Sequence, residues 1–593
     1  MRNILAFLFF FVVFCSVGQN EQLAKNYIEQ GEYAKAKVIY DKLYKQQKFN
    51  TNYFMGLVEA QQQLEEYAEV ETLLREKIQQ SPNFPNTYIE LGHNFELQNK
   101  IEEADTYYQQ ALAIIDQNPN TAYVIGATFQ KYNKLDEAIA AFEKGASLNP
   151  QSNFDMQLAR LYGEQGNIEK MFNSYLDLVD KNPQFQVTAN RQIEQYVTDD
   201  PYYEGNVIFR KLLLKKLQAD PKIYYNQMLS WLFIQQKDFK KAFLQEKAIY
   251  LRTQESLEGI IDVALIATEE NDNETATEIL DYIITEARLP ETILRAQEFK
   301  LNIAIKDATP KDYKDIEKQF EDLFTAYGKT IETMSLQIAL ANFKAFKEDL
   351  PEDGISILKE LLKEKTNRFQ EATIKMTLGD ILVLDEKFNQ ALIYYSQIQT
   401  MLKNNVLSQE ARFKVAKTSY YKGDFKWSET QLDVLKGSAS QLIANDAMEL
   451  SLLIKDNSLE DSTQTALKKY AKADLLAYKG KKKEAIAVLS EILTQHKGEK
   501  IEDEALLKQA KLYESDGDYE KAEANYNAII QYYPTDILGD DAYFGLAKLY
   551  EEKLGKPEEA KANYEKIVFD YADSIYYVEA RKRFRSLRGD DIN

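Results

Sequence analysis

His93 and His496 are the only imidazoles in this chain and Cys15 is its only thiol. The two histidines lie too far apart for an HExxH zinc helix, and they are too few for a larger multi-histidine ligand set. With no cysteine beyond position 15, the rest of the chain has neither disulfides nor thiolate metal sites. Carboxylates are abundant, 94 Asp and Glu in 593 residues, so pairs at glycosidase-like spacing arise by chance and carry no information. The acidic stretches "ENDNETATE" and "SDGDYE" lack the oxygen-ligand pattern of a calcium loop and read as solvated helix ends. There is no phosphate-binding glycine loop, GxSxG elbow or Ser-His-Asp set. The expectation is a protein without catalytic residues, metal ligands or cofactors.

The elements that would have positioned such groups repeat. A small or compact residue recurs at Ala36, Val70, Ala104, Ala138 and Met171, at intervals of 34, 34, 34 and 33. Four residues after each stands Tyr40, Leu74, Tyr108, Phe142 or Tyr175, and twelve after stands Lys48, Pro82, Asp116, Pro150 or Pro183. A Leu-Gly-like pair precedes four of the five turns (Leu23-Ala24, Leu91-Gly92, Ile125-Gly126, Leu158-Ala159), and the second unit departs with Leu57-Val58. Small residues let two antiparallel helices approach, and the aromatic fills the space between one hairpin and the next. Pro at the boundary stops one helix and opens another.

A period of 34 with this pattern resembles the tetratricopeptide repeat (TPR) family. The resemblance implies an all-α fold, a right-handed α-α superhelix of antiparallel helical hairpins, in which stacked neighbours supply the core. Three parts are expected after a leader: an N-terminal array of about five repeats over 19–183, a degenerate segment over 184–365, and a C-terminal array over 366–589. Ala242 and Ala276 keep the period in the middle segment, but Gln184 to Pro221 reads as irregular hairpins, and the segment reads equally as a small separate helical domain. In the C-terminal array the interval lengthens to 37 (Ala391 to Ser428, Ala485 to Ala522) and then 38 (to Ala560), which longer helices or turns accommodate. Lys436 to Leu467 is expected to form a divergent hairpin, and "DSIYYVEARKRFRSLRG" a terminal capping helix.

The leader, "MRNILAFLFFFVVFCSVGQ", has one early cation, an apolar run from Ile4 to Phe14, then Ser16 and Gly18. It reads as a secretory signal peptide over 1–18, too short in its apolar run for a transmembrane span. Cys15 would be a lipidation site only if Phe14 were Gly, Ala or Ser, so lipoprotein anchoring is not expected. Export to a periplasm follows. A net charge of -21 argues against a general nucleic-acid binder.

Residues Glu502 to Leu587, with Tyr533-Pro534, "DDAYFGLAKLY", Asp573-Ser574 and "EARKRFRSL", resemble the TPR arrays of Gram-negative envelope proteins of the barrel-assembly lipoprotein and Tol-Pal coordinator type. That resemblance implies a non-catalytic periplasmic scaffold, associated with the outer membrane, that binds envelope proteins or peptide segments in its groove. The alternatives are an envelope enzyme such as a helical-solenoid peptidoglycan hydrolase, or a purely structural spacer or oligomer. In the family, the fifth and ninth positions of each first helix commonly point into the concave groove, the alternative being that tight superhelical winding buries the fifth position against its neighbours. Here the fifth positions are Met55, Ile89, Tyr123, Met156, Met376, Phe413, Leu507 and Phe544. The ninth are Glu59, His93, Ala127, Arg160, Asp380, Lys417, Lys511 and Lys548. None combines Lys at the fifth with Asn at the ninth, so the family's carboxylate clamp for acidic tails is not expected. Arg581, Lys582, Arg583, Arg585 and Arg588 form a basic patch on the last helix, which either offsets the helix dipole or contacts lipid phosphates or an acidic partner.

Overall fold

The computed structural model describes residues 20–437, 440–458 and 464–590. The expected signal peptide and Cys15 lie outside the described residues. All regular structure among the described residues is helical, and the chain divides into two compact units, Met1–Thr275 and Ala276–Asn593. In the first unit, residues 20–29 pair with Tyr33–Gln46, Thr51–Gln63 with Tyr67–Gln80, and Pro85–Glu96 with Ile101–Gln117. Ala122–Lys131 then pairs with Leu135–Leu148, Asp155–Glu164 with Ile168–Lys181, and Ile223–Gln235 with Phe239–Thr253. Between the last two hairpins stand Gln186–Glu194 and Glu204–Ala219, the irregular stretch. There the fully buried Asn206 amide donates to the carbonyls of Thr198 (2.8 Å) and Asp200 (2.6 Å), so a side chain stands in for a regular turn.

In the second unit, Pro290–Lys306 is followed by Tyr313–Tyr327, and Met334–Asn342, extended by a π turn at Phe343–Lys347, by Pro351–Leu361. The later hairpins are Arg368–Leu384 with Phe388–Met401, Val406–Tyr421 with Phe425–Leu435, Thr465–Tyr478 with Lys482–Gln495, and Ile501–Asp516 with Tyr519–Tyr532. Gly539–Leu549 with Pro557–Asp570 and the single helix Tyr577–Arg588 complete it. The hairpin expected over 436–467 is absent from the described residues: one helix, Gln441–Ser458, stands there, and Leu467 already belongs to the next hairpin. Ile443, Ala447, Leu450 and Ile454 explain this, because they form one unbroken buried stripe at helical spacing.

The turns of the hairpins are built alike, except between Pro290–Lys306 and Tyr313–Tyr327. The first helix ends in a residue with positive φ, such as Glu65 (61°), Asn99 (60°), Gly166 (76°), Glu386 (57°), Gly480 (74°) and Gly517 (80°). The next amide then reaches back to close the helix, as from Lys100 N to Phe95 O (3.0 Å) and Asp518 N to Tyr513 O (2.9 Å). Second helices commonly have 14 residues in both arrays, as in Tyr67–Gln80 and Tyr519–Tyr532, with Ile101–Gln117 longer at 17 and Phe425–Leu435 shorter at 11. First helices change systematically between the arrays: Pro85–Glu96 has 12 residues and Ala122–Lys131 has 10, whereas Arg368–Leu384 has 17 and Ile501–Asp516 has 16. One extra turn of the first helix is therefore what lengthens the C-terminal period. The additional residue before Ala560 is taken up by a π turn at Tyr550–Leu554.

The small residues seat the aromatic ones. A Cβ placed on Gly92, Gly126 or Gly379 would collide with Tyr108, Phe142 or Tyr395 of the same hairpin, and one on Gly56 or Gly545 with Tyr40 or Tyr526 of the hairpin before. The ring is thus pressed by its own first helix on one side and the next first helix on the other. These rings are almost fully buried, and each fully buried aromatic contributes about 1.5–3 kcal/mol from its apolar surface.

Candidate functional site

The first helices bury one face against their hairpin and turn the other inward. On Ala122–Lys131 the buried residues are Ala122, Ile125, Gly126, Thr128 and Phe129, which leaves Tyr123 (54% exposed), Val124 (42%), Ala127 and Lys131 on the open side. Lys131 Nζ lies 3.8 Å from Glu59 and 3.8 Å from Glu90. Three successive first helices thus converge on one ammonium, so their shared face is concave. Tyr132 Oη donates to Glu90 Oε2 at 2.6 Å, and the His93 ring stacks on Tyr132 with centroids 3.9 Å apart. Burial pushes the Glu90 carboxyl up, opposed by Lys131 and Tyr132, and burial lowers the His93 imidazole. Glu90 and His93 are pins between hairpins, enclosed by their own neighbours.

The fifth positions divide. Ile89, Met376 and Leu507 are core residues. Met55, Met156, Phe413 and Phe544 are half-buried, Phe544 stacking on Tyr576 at 4.3 Å. Only Tyr123 stands clear. Beside it on the next first helix are the half-buried Met156 and the exposed Arg160, which has no ion pair among the described residues.

In the second unit the ninth positions are largely taken by partners from the same chain. Asp380 receives Lys414 Nζ at 2.8 Å and Tyr395 Oη at 2.7 Å. Lys417 Nζ lies 2.7 Å from Asp474, which also holds Lys508 at 2.6 Å. Burial raises the Asp474 carboxyl, and the two ammonium groups more than offset it, leaving it below the usual carboxylate range. Tyr478 Oη donates to Asp380 O at 3.1 Å, and its ring meets those of Phe346 and Tyr421. Lys511 is exposed, and Lys548 is half-exposed, 3.9 Å from Glu552.

Asp474 and Tyr470 were missed in the sequence although a signal existed. In most hairpins the small residue of the first helix precedes that of the second by twelve, as Gly379 does Ala391 and Ala510 does Ala522. Ala473 precedes Ala485 by the same interval, which makes Tyr470 a fifth and Asp474 a ninth position.

A second concentration of charge lies at the starts of the C-terminal first helices. Burial, then the neighbouring acids Asp503, Glu449 and Asp541, raises the Glu504 carboxyl to about 8. Asp503 is raised to about 6 by burial, and burial also lifts Asp541.

The basic patch proves mostly paired. Arg583 binds Glu551 (2.8 Å), Glu552 (2.9 Å) and Glu579 (2.8 Å), while Arg585 and Arg588 both meet Asp590. Arg581 and Lys582 remain exposed and without an ion pair among the described residues. Ala580 and Phe584 are buried as are Ala542 and Leu546, 38 residues earlier, which puts Arg585 in register with the fully buried Ala547. A long cation where a second helix needs a small residue ends the array.

The family model described as tetratricopeptide repeat matches residues 85–118 and 120–152, and a second model of the same description matches 504–536 and 541–574. No curated protein matches the sequence. Among solved structures, the chain is similar to one in "Structure of Naa15/Naa10 bound to HypK-THB" at 14% identity, over 90% of this chain and 96% of that one, with a TM-score of 0.27. It is similar to another in "Crystal structure of APC/C hetero-tetramer Cut9-Hcn1" at 14% identity, over 95% of each chain, with a TM-score of 0.22. At such scores the chains do not superpose as wholes. The matched segments coincide with hairpins of both units, and the protein is an all-α array of helical hairpins that carries tetratricopeptide repeats.

Proposed function

We propose that this protein is a non-catalytic scaffold or adaptor that holds protein segments on the concave face of its first unit. The observation that carries the reading is the open group formed by Tyr123, Val124, Met156 and Arg160, an aromatic and aliphatic surface with an exposed guanidinium beside it that has no ion pair among the described residues. Such a surface suits an amphipathic helix or extended segment with an apolar anchor and an acidic neighbour. Glu90 is held by Tyr132 in a contact between hairpins, so the hydrolase alternative would have to rest on Glu504, whose carboxyl is raised by burial and by neighbouring acids.

Location is part of the proposal. The leader with Arg2, the run Ile4–Phe14, Ser16 and Gly18 supports export, and the likeness of Glu502–Leu587 to envelope TPR arrays supports a periplasmic site at the outer membrane, with envelope proteins as partners. No described helix is long and apolar enough to cross a membrane. The test is a pull-down of tagged protein from envelope fractions with Tyr123→Ser/Arg160→Ala beside the parent chain. Loss of a specific co-purifying protein from a variant with unchanged circular dichroism supports the reading. Retention of every partner refutes it.

A further inference from the structure

The edge of the second unit where the last second helices turn into the next first helices carries a group of exposed apolar residues. Tyr532 and Phe569, 37 residues apart, close successive second helices, and both are 68% exposed. Ile537 (62%) and Ile575 (86%), 38 apart, lie in the loops that follow, and Val578 (78%) opens the terminal helix. The two loops adjoin: Tyr571 Oη donates to Pro534 O at 2.5 Å, and Tyr576 Oη donates to Asp541 Oδ1 at 2.8 Å. Ile537 and Ile575 are therefore equivalent positions of two repeats, and Tyr532 and Phe569, one residue out of register with each other at the ends of successive second helices, add to an exposed apolar group on one edge, where solitary exposed residues would need no explanation but a group does.

Acids frame this row. Asp536 and Asp573 are exposed in the same loops, Asp540 stands at the start of a first helix, and Glu449 reaches the group from helix Gln441–Ser458. None of the four is in an ion pair among the described residues. Helix dipoles account for acids in a first turn, but Asp536 and Asp573 lie in the loops, outside any helix. An anionic lipid surface is disfavoured by acids set directly beside the apolar side chains. Arg581 and Lys582, one turn beyond Val578, mark where the acidic edge ends.

We propose that this edge, from Tyr532 to Val578, docks a cationic amphipathic segment of a partner protein, its Lys or Arg side chains on the acids and its apolar side chains on the paired Tyr532/Ile537 and Phe569/Ile575 sites. The surface is separate from the concave face of the first unit and stands or falls independently of it.

The test measures fluorescence anisotropy of a labelled Lys/Leu amphipathic helix peptide against the full chain, with a Glu/Leu peptide of the same pattern as its counterpart. Expected are salt-sensitive binding of the Lys/Leu peptide and a loss of about tenfold in both Ile537→Ser/Ile575→Ser and Asp536→Asn/Asp540→Asn/Asp573→Asn. Tyr123→Ser/Arg160→Ala should bind it unchanged. All the altered side chains are at least partly solvent-exposed, and unchanged circular dichroism confirms that the fold persists. Equal binding by the Glu/Leu peptide, or undiminished binding by both edge variants, overturns the proposal. So does sedimentation of the parent chain, but not Ile537→Ser/Ile575→Ser, with phosphatidylglycerol vesicles, which would assign the edge to a membrane.

Discussion

Gly379 has no room for a methyl group. A Cβ there falls on the ring of Tyr395, which is buried and tethered through its hydroxyl to Asp380. Gly379→Ala should therefore cost about 1–3 kcal/mol, seen as a lower urea midpoint with unchanged slope. Glu65 presents the opposite case, a side chain held at φ 61° where glycine is at ease. Glu65→Gly should raise stability by about 0.5–1 kcal/mol, read from the same transition. Glu504 supplies a pH dependence. Its folded carboxyl sits near 8 against an ordinary 4.5, so the folded state holds the proton more tightly. The associated stability is fully present below 4.5 and is lost as pH rises through about 8. The slope approaches about 1.4 kcal/mol per pH unit, with Asp503 and Asp541 adding the same sign. Glu504→Gln should flatten the curve and raise stability at pH 8; a profile unchanged by the substitution contradicts the assignment.

At the scale of the element, the first helices are bound to one another by polar pins as well as by packing. Asp474 joins Val406–Tyr421, Thr465–Tyr478 and Ile501–Asp516 through Lys417 and Lys508. Asp474→Asn leaves two half-buried ammonium groups facing each other and should cost about 2 kcal/mol. A double-mutant cycle with Lys508→Met should return part of it. The hairpins themselves were legible because packing of small against aromatic residues imposes a fixed interval, and Ala36, Ala104, Ala391 and Ala522 are all buried as that interval requires. What the interval does not encode is how tightly the first helices wind. Ile89 and Tyr123 occupy the same repeat position, yet one is core and the other open. Glu90 and Lys131, which join those two helices, are pins that no local pattern marks. Helix Gln441–Ser458 was misread because the array permits a single helix between hairpins, which a search for pairs cannot anticipate.

At the scale of the molecule, two compact units each present a different surface: an aromatic and cationic concave group in the first, and an acidic, apolar edge in the second. The proposed export rests on the leader and the proposed scaffold role on the open groove, and the groove can be interrogated one position at a time. The direct measurement is photo-crosslinking with a benzophenone amino acid at position 123, compared with the same probe at Val38, an exposed residue on the second helix of the first hairpin. The scaffold reading predicts a discrete protein adduct from position 123 that is absent from position 38 and absent when Arg160 is replaced by Ala. Adducts from position 38 alone, or none from either except a second copy of the chain, would contradict it.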